Sequence, residues 1–156
     1  MLDRFLPFDV IQEPWVAYQL SDGTRLRVRF VLLKLIQGDP VAPSGMKSAA
    51  VASQVLLAVE SPDEFRGPPA PMPSPDQAKQ EIESEVTFDA PPAPPSVYRF
   101  DQTRTLFVDT KLTRVSRTRL IGPDGDRIYQ VETQSQLVVL GNPPPGPEPS
   151  GSTQKI

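Results

Sequence analysis

The chain has 156 residues, 20 of them prolines, carries a net charge of −3, and contains neither cysteine nor histidine. Without these two residue types there are no disulfides, no thiolate nucleophile, and neither thiolate nor imidazole ligands for a metal. The composition therefore excludes Ser-His-Asp triads, Cys-His pairs and histidine-based zinc sites, and we predict neither a catalytic residue, a cofactor nor a metal.

The N-terminal segment and the apolar runs predict a cytoplasmic protein without a membrane partner. Residues 1–14 contain three acidic residues and are broken by Pro7 and Pro14, which is not the pattern of a secretory signal. The longest apolar run, over residues 30–36, is interrupted by Lys34 and is too short to span a bilayer as a helix.

A first β unit is predicted over residues 12–60. Asp22-Gly23 separates two apolar runs, a pattern typical of a hairpin turn whose central residues adopt positive φ. Apolar residues alternate with arginines up to Phe30, after which either a bulge changes the register or both faces are covered. Residues 50–60 are predicted to be the closing strand, with a helix as the rival because alanine favours helices.

A proline-rich acidic connector is predicted over residues 61–95. Residues 60–95 contain two basic and eight acidic side chains, so the connector either lies against the basic β units or is solvated, and we favour solvation. Ser61 begins a capping pattern for a short turn, and Ser74 begins one for a marginal helix through Val86. Three alternating glutamates would face different sides of that helix, as a solvated charge run: Glu81, Glu83 and Glu85.

A second β unit is predicted over residues 96–141, and a disordered tail over residues 142–156. Residues 104–121 are rich in Thr and Val, as strands are, and a Gly-Pro-Asp-Gly turn leads to the returning strand over 127–140. The tail has almost no apolar surface to offset the entropy of ordering it.

The two β units resemble each other at an offset of 80 positions. The aligned pairs include Tyr18 with Tyr98, Leu26 with Leu106, Val28 with Val108, and Leu32 with Leu112, and a further shift of two aligns Ser53-Gln54 with Ser135-Gln136. Similarity at a fixed offset indicates a duplicated supersecondary unit. We therefore predict an all-β fold of two duplicated three-stranded antiparallel units, packed as a small barrel or a sandwich, as in a fused β homodimer.

Two groups of arginines are the candidate anion-binding residues: Arg25, Arg27 and Arg29, and Arg114, Arg117 and Arg119. The first group recurs on one strand face at steps of about 6.6 Å, close to the phosphate repeat of an extended nucleic-acid strand. The favoured alternative is a solvated outer face with cross-strand carboxylates, because the equivalent positions in the second unit are Thr105, Phe107 and Asp109.

Two other features have structural explanations. Asp124 and Asp126 lack the spaced oxygen ligands and the distal glutamate of a calcium loop, so we assign them to a turn. The proline runs over residues 66–75 and 90–95 could dock in SH3-like or WW-like grooves, although a spacer is the favoured role.

These features predict a non-enzymatic binding or assembly module whose partner is an unknown protein or a second copy of the chain. The alternative is a nucleic-acid-binding small β-barrel that uses the arginine-rich strand faces, which the acidic overall charge disfavours. An enzyme that relies on carboxylates alone is a third hypothesis, but the sequence contains no obvious acid pair to support it. Salt-dependent binding of DNA or RNA would separate the first two hypotheses.

Overall fold

The computed structural model describes residues 5–40, 47–141 and 153–155, and within them the fold is almost entirely β, as predicted. In chain order the strands are β1 Phe8–Gln12, β2 Val16–Leu20, β3 Arg25–Pro40, β4 Lys47–Glu60, β5 Ile82–Glu85, β6 Phe88–Asp89, β7 Ser96–Phe100, β8 Arg104–Ile121, β9 Arg127–Gly141 and β10 Thr153–Lys155. A 3₁₀ turn over Asp63–Phe65 and the helix α1 over Pro75–Gln80 complete the described part. No helix in it is long and apolar enough to cross a membrane.

The strands form two antiparallel sheets, and neither is closed. One sheet has the order β1-β7-β8-β9-β10, with β5 beside β8, and the other has the order β4-β3-β2-β6. The predicted barrel is therefore wrong for the described residues, because the outermost strands of each sheet do not pair with each other. What the structure has instead is two open sheets.

The two sheets share their core through two hydrophobic clusters. The first cluster consists of Tyr18, Leu20, Leu26, Val28, Val86, Leu112, Val115 and Tyr129. The second cluster consists of Phe30, Leu32, Leu35, Tyr98, Phe100, Leu106, Val108 and Val139. Each cluster contains residues of both β3 and β8, so the two hairpins bury their apolar faces against each other.

Both long strands contain a bulge. The pairing of β3 with β4 shifts by one residue at Leu33, and the pairing of β8 with β9 shifts at Thr113. Leu33 is 52% exposed, whereas Leu35 and Val115, beyond the two shifts, are fully buried. Of the two explanations for the lost alternation after Phe30, the bulge is confirmed, because it returns the later apolar residues to the core face.

Residues 50–60 belong to β4, so the helix considered for them is wrong. They pair with β3 along its length, and Val51, Val55 and Val59 pack against the clusters. The ladder also corrects the alignment of the closing strands. Val59 pairs with Leu26, and Val139 with Leu106, so the offset of 80 continues without the predicted further shift of two.

The acidic connector is docked on the sheets. Ser74 caps α1 as predicted, since its Oγ accepts a 3.1 Å hydrogen bond from the Gln77 amide. The helix ends at Gln80 instead of continuing to Val86, and the chain enters β5, which pairs with β8. The prediction of a longer, solvated helix is therefore wrong, because a helix this short is marginal without packing, whereas a strand beside β8 gains both hydrogen bonds and contacts with the sheet.

The N-terminal and C-terminal predictions are modified as well. The strand β1 begins at Phe8, before the predicted start of the first unit at residue 12, and pairs with β7. The predicted disorder of residues 142–156 lies outside the described residues, except that Thr153–Lys155 form β10 on the edge of β9.

Candidate functional site

The arginines of β3 lie on the outer face of the four-stranded sheet. Arg25 faces Glu60 across the β3–β4 ladder, and their charged atoms are 3.7 Å apart. Arg27 has its guanidinium 5.1 Å from the ring centroid of Trp15, which is 40% exposed. The Nε atoms of Arg27 and Arg29 are buried without a hydrogen-bond partner among the described residues. This face therefore combines one cross-strand ion pair with a cationic and aromatic surface.

The arginines of β8 form ion pairs with the connector. The pairs are Arg114 with Glu85 at 3.4 Å, Arg117 with Glu83 at 2.6 Å, and Arg119 with Glu81 at 3.6 Å. They form because β5 lies antiparallel beside β8, so that the glutamates run past the arginines in the opposite order, with a register shift between Ile82 and Ser84. The glutamates therefore lie along and just before a strand paired with arginines, and not on different sides of a helix, while the Glu85 side chain stays 64% exposed. Anion binding by these arginines stays a prediction, and an anion would have to compete with the carboxylates.

A hydrogen-bonded network links the β2–β3 turn to the six-stranded sheet. The Tyr129 hydroxyl donates to Asp22 Oδ2 at 2.6 Å and lies 2.7 Å from the hydroxyl of fully buried Thr24. Arg117 Nη1 donates to the same carboxylate at 3.0 Å. Burial alone would raise the pKa of Asp22, but the hydrogen bonds from Tyr129, Thr24 and Arg117 lower it below its usual value. Burial and the bond to Asp22 raise the pKa of Tyr129.

Arg117 extends this network to the connector. Its Nε donates to Glu83 Oε2, and Nη1 of Arg127 donates to the same oxygen at 3.2 Å. The Phe65 ring lies against both guanidinium groups, 4.2 Å from that of Arg117 and 5.2 Å from that of Arg127. The hydrogen bond and charge of Arg117 lower the pKa of Glu83. The network thus joins both sheets and the connector at one end of the molecule.

Glu13 is the centre of a second polar network. Its side chain is 9% exposed, and its Oε2 accepts hydrogen bonds from the Tyr98 hydroxyl at 2.7 Å and the Leu32 amide at 3.2 Å. Arg29 Nη2 donates to Oε1 at 3.3 Å. Burial and the contact with Glu13 raise the pKa of Tyr98. The carboxylate thus ties the chain before β2 to both sheets.

The chemistry of the two networks is that of structural links. Asp22 and Glu13 belong to separate networks, and hydrogen-bond donors occupy both carboxylate oxygens of each residue. Within the described residues no three acidic side chains are grouped to hold a metal ion. The sequence predicts only a turn at Asp22 and no role for Glu13, because Tyr129 and Tyr98, which bind these carboxylates, lie far away along the chain.

The outer edge of β4 is a long edge of the four-stranded sheet that pairs with no other strand in the described part of the chain. β4 has 14 residues and is the outermost strand, and between Lys47 and Glu60 it contains neither a charged residue nor a proline. Leu57 is 44% exposed on this strand. The corresponding strand β9 pairs with β10 through Val138, Val139 and Leu140. No strand in the described part of the chain covers the equivalent positions of β4.

A second exposed feature is the proline segment over residues 66–73. The Gly67 amide donates to the Gly125 carbonyl at 3.1 Å, and the Ala70 amide donates to the Gly122 carbonyl at 3.2 Å. Gly67, Ala70 and Pro73 are half-buried, while the intervening residues are exposed: Pro68, Pro69, Pro71 and Met72. The segment is thus anchored at every third residue.

Comparison of the chain with protein-family models, with curated proteins and with solved structures found no match.

Proposed function

We propose that this chain is a non-enzymatic assembly module, built from a duplicated β unit, that pairs with a second copy of itself through the outer edge of β4. The single observation that carries this proposal is the long edge of β4, which has no charged residue and no proline between its terminal residues Lys47 and Glu60. Edge strands that do not associate usually carry charges, prolines or bulges that prevent pairing.

The pairing registers support the duplication. At an offset of 80 several strand pairs have counterparts. Three correspondences stay within one half of the chain: Tyr18–Leu26 and Tyr98–Leu106, Leu26–Val59 and Leu106–Val139, Phe5–Ile36 and Glu85–Ser116. A fourth, Phe8–Phe100 and Phe88–Leu20, crosses between the units, as the contacts of a swapped dimer would. Such reciprocal contacts are the mark of an isologous, twofold interface.

The buried residues follow the same exchange. Tyr18, Leu26 and Val28 share the first cluster with Leu112 and Val115. The counterparts of the first three residues are Tyr98, Leu106 and Val108, and all three belong to the second cluster. That cluster also contains Leu32 and Leu35, the counterparts of Leu112 and Val115. The proposed ancestor is therefore a homodimer of one β unit, and assembly through sheets is the property that the duplicated chain retains.

The sequence of β4 favours a second copy of the chain as the strand that pairs with its outer edge. Antiparallel pairing of two β4 strands places a twofold axis near Ser53 and Gln54, at the middle of the strand. Residues 48–59 are small, polar or apolar throughout, so no like charges meet across such an axis. Pairing would extend the four-stranded sheet into a continuous eight-stranded sheet and would cover Leu57.

The test places a charge beside the proposed axis. The twofold axis brings Gln54 of one copy close to Gln54 of the other, so a charge at this position would face a like charge. Gln54→Glu and Gln54→Lys should therefore each weaken dimerisation, by roughly tenfold or more in Kd. A mixture of the two variants should dimerise again, because opposite charges then face each other. Sedimentation equilibrium measures the dissociation constants, and native mass spectrometry identifies the mixed dimer.

Gln134 provides the matched control, since it is the exposed counterpart of Gln54 on β9. Gln134→Lys should leave the dissociation constant unchanged. Wild-type protein that stays monomeric at every soluble concentration would contradict the proposal, as would dissociation caused equally by the Gln134 variant.

A further inference from the structure

We propose that residues 68–72 form a rigid polyproline II ridge that binds an aromatic-lined groove of the kind found in proline-recognition domains. This inference is independent of the association through β4, because it concerns the connector and the β8–β9 turn. Its probes are purified SH3 and WW domains, whose grooves accept this backbone conformation.

The periodicity of exposure supports a polyproline II ridge. A polyproline II helix has three residues per turn, so every third residue lies on the same side. Gly67, Ala70 and Pro73 form the half-buried side, and the remaining four residues form two outward rows: Pro68 with Pro71, and Pro69 with Met72. Arg66 and Ser74, which flank the segment, have ψ angles of 156° and 158°, in the polyproline range.

The anchoring makes this segment different from a free spacer. Amide groups are available only at non-proline positions, and two of them, at Gly67 and Ala70, donate to carbonyls of the β8–β9 turn. A Cβ at Gly67 would lie 3.1 Å from Ile121 Cγ1, which shows how closely the segment approaches β8. A ligand already held in its bound conformation loses less conformational entropy when it binds.

The exposed side has the chemistry that an aromatic groove recognises. Pro68, Pro69 and Pro71 offer rigid apolar rings and backbone carbonyls, and Met72, at 67% exposure, adds a flexible apolar side chain. Methionine makes favourable contacts with the edges of aromatic rings. Arg66 lies beside the ridge, 3.8 Å from Asp126, and its side chain is 48% exposed, so it can also contact an acidic residue at the rim of a groove.

The experiment titrates the full chain into isotopically labelled SH3 and WW domains and follows the NMR signals of their groove aromatics. Wild-type protein should shift the groove signals of one of these probe classes. The double variant Pro68→Ala/Pro71→Ala should weaken that binding roughly tenfold or more. Both prolines are exposed, so the melting temperature should change little, which separates lost recognition from unfolding.

The chain contains its own matched control. Residues 91–94 repeat the tetrapeptide Pro-Pro-Ala-Pro of residues 68–71, but there all four residues are exposed, including the alanine. Pro91→Ala/Pro94→Ala should therefore leave the affinity unchanged. The inference is overturned if neither probe class shows groove shifts with wild-type protein, or if the affinity falls with the control variant instead.

Discussion

The ring of Tyr18 meets the ring of Phe88 edge-on, with centroids 5.9 Å apart and planes at 90°. The same contact recurs between Phe8 and Tyr98, at 5.8 Å and 89°. Each residue of one pair lies 80 positions from its counterpart in the other. Phe8 is on β1, which pairs with β7 of the second unit, and Phe88 is on β6, which pairs with β2 of the first unit. Each unit therefore contributes one phenylalanine ring that packs on a tyrosine ring of the other unit.

This reciprocity predicts similar coupling energies for the two aromatic pairs. Double-mutant cycles with Phe8→Leu and Tyr98→Leu, and with Phe88→Leu and Tyr18→Leu, should each give a coupling of about 0.5–1.5 kcal/mol. Urea denaturation measures the free energy of unfolding of each variant. A coupling in one pair but none in the other would contradict the proposed equivalence of the two contacts.

Acid should destabilise the protein partly through Asp22. Its pKa is lowered in the folded state, so its contribution to stability is complete above the unfolded-state pKa, near pH 4, and is lost as the pH falls through the lower folded-state pKa. Asp22→Asn should therefore be less stable than wild type at neutral pH and should lose less stability in acid. Thermal denaturation between neutral pH and about pH 2 measures how the stability of wild type and of the variant depends on pH. Parallel pH profiles would contradict this assignment.

Tyr129→Phe should weaken the same network without removing its charge. The hydroxyl contacts both Asp22 and Thr24, so its loss leaves two buried polar groups with fewer partners. We expect a loss of about 1–3 kcal/mol in the free energy of unfolding. Tyr18→Phe is the comparison. The Tyr18 hydroxyl contacts the Leu112 backbone and, among the described residues, bonds no carboxylate, so this substitution should cost less.

The turn between β7 and β8 should be open to stabilisation. Asp101 and Gln102 have φ angles of 58° and 57°, a left-handed conformation in which glutamine is strained and glycine is not. Gln102→Gly should therefore raise the free energy of unfolding by about 1 kcal/mol. Gln102→Ala, which keeps a Cβ, should bring no comparable gain. Chemical denaturation of the three proteins provides the measurement, and equal stabilities would argue against strain at this position.

The arginines of β3 should not confer nucleic-acid binding. Arg25 pairs with Glu60 and Arg29 with Glu13, and the equivalent positions of the second unit are not basic. Fluorescence anisotropy with single-stranded DNA should show no salt-sensitive binding. Salt-sensitive binding that disappears when all three arginines are replaced with glutamine would overturn this expectation and favour a nucleic-acid partner.

Local patterns in the sequence determined the all-β class and the two hairpins, and they suggested the duplication that we propose. The alternation up to Phe30, its interruption near Leu33 and the Asp22-Gly23 turn are short-range signals, because strand faces and turn conformations depend on neighbouring residues. The offset of 80 is also visible in the sequence alone, since it compares one stretch of residues with another.

Only the tertiary structure decided how the units and the connector pack. Phe8 and Phe88 are paired with the opposite units, and Glu83 changes from an expected helical, solvated residue to the ion-pair partner of Arg117 and Arg127. Tyr129 reaches Asp22 across 107 positions of sequence. No local pattern encodes such contacts, because they depend on which sheet edge is available and on the free energy gained when distant polar and apolar groups are buried together.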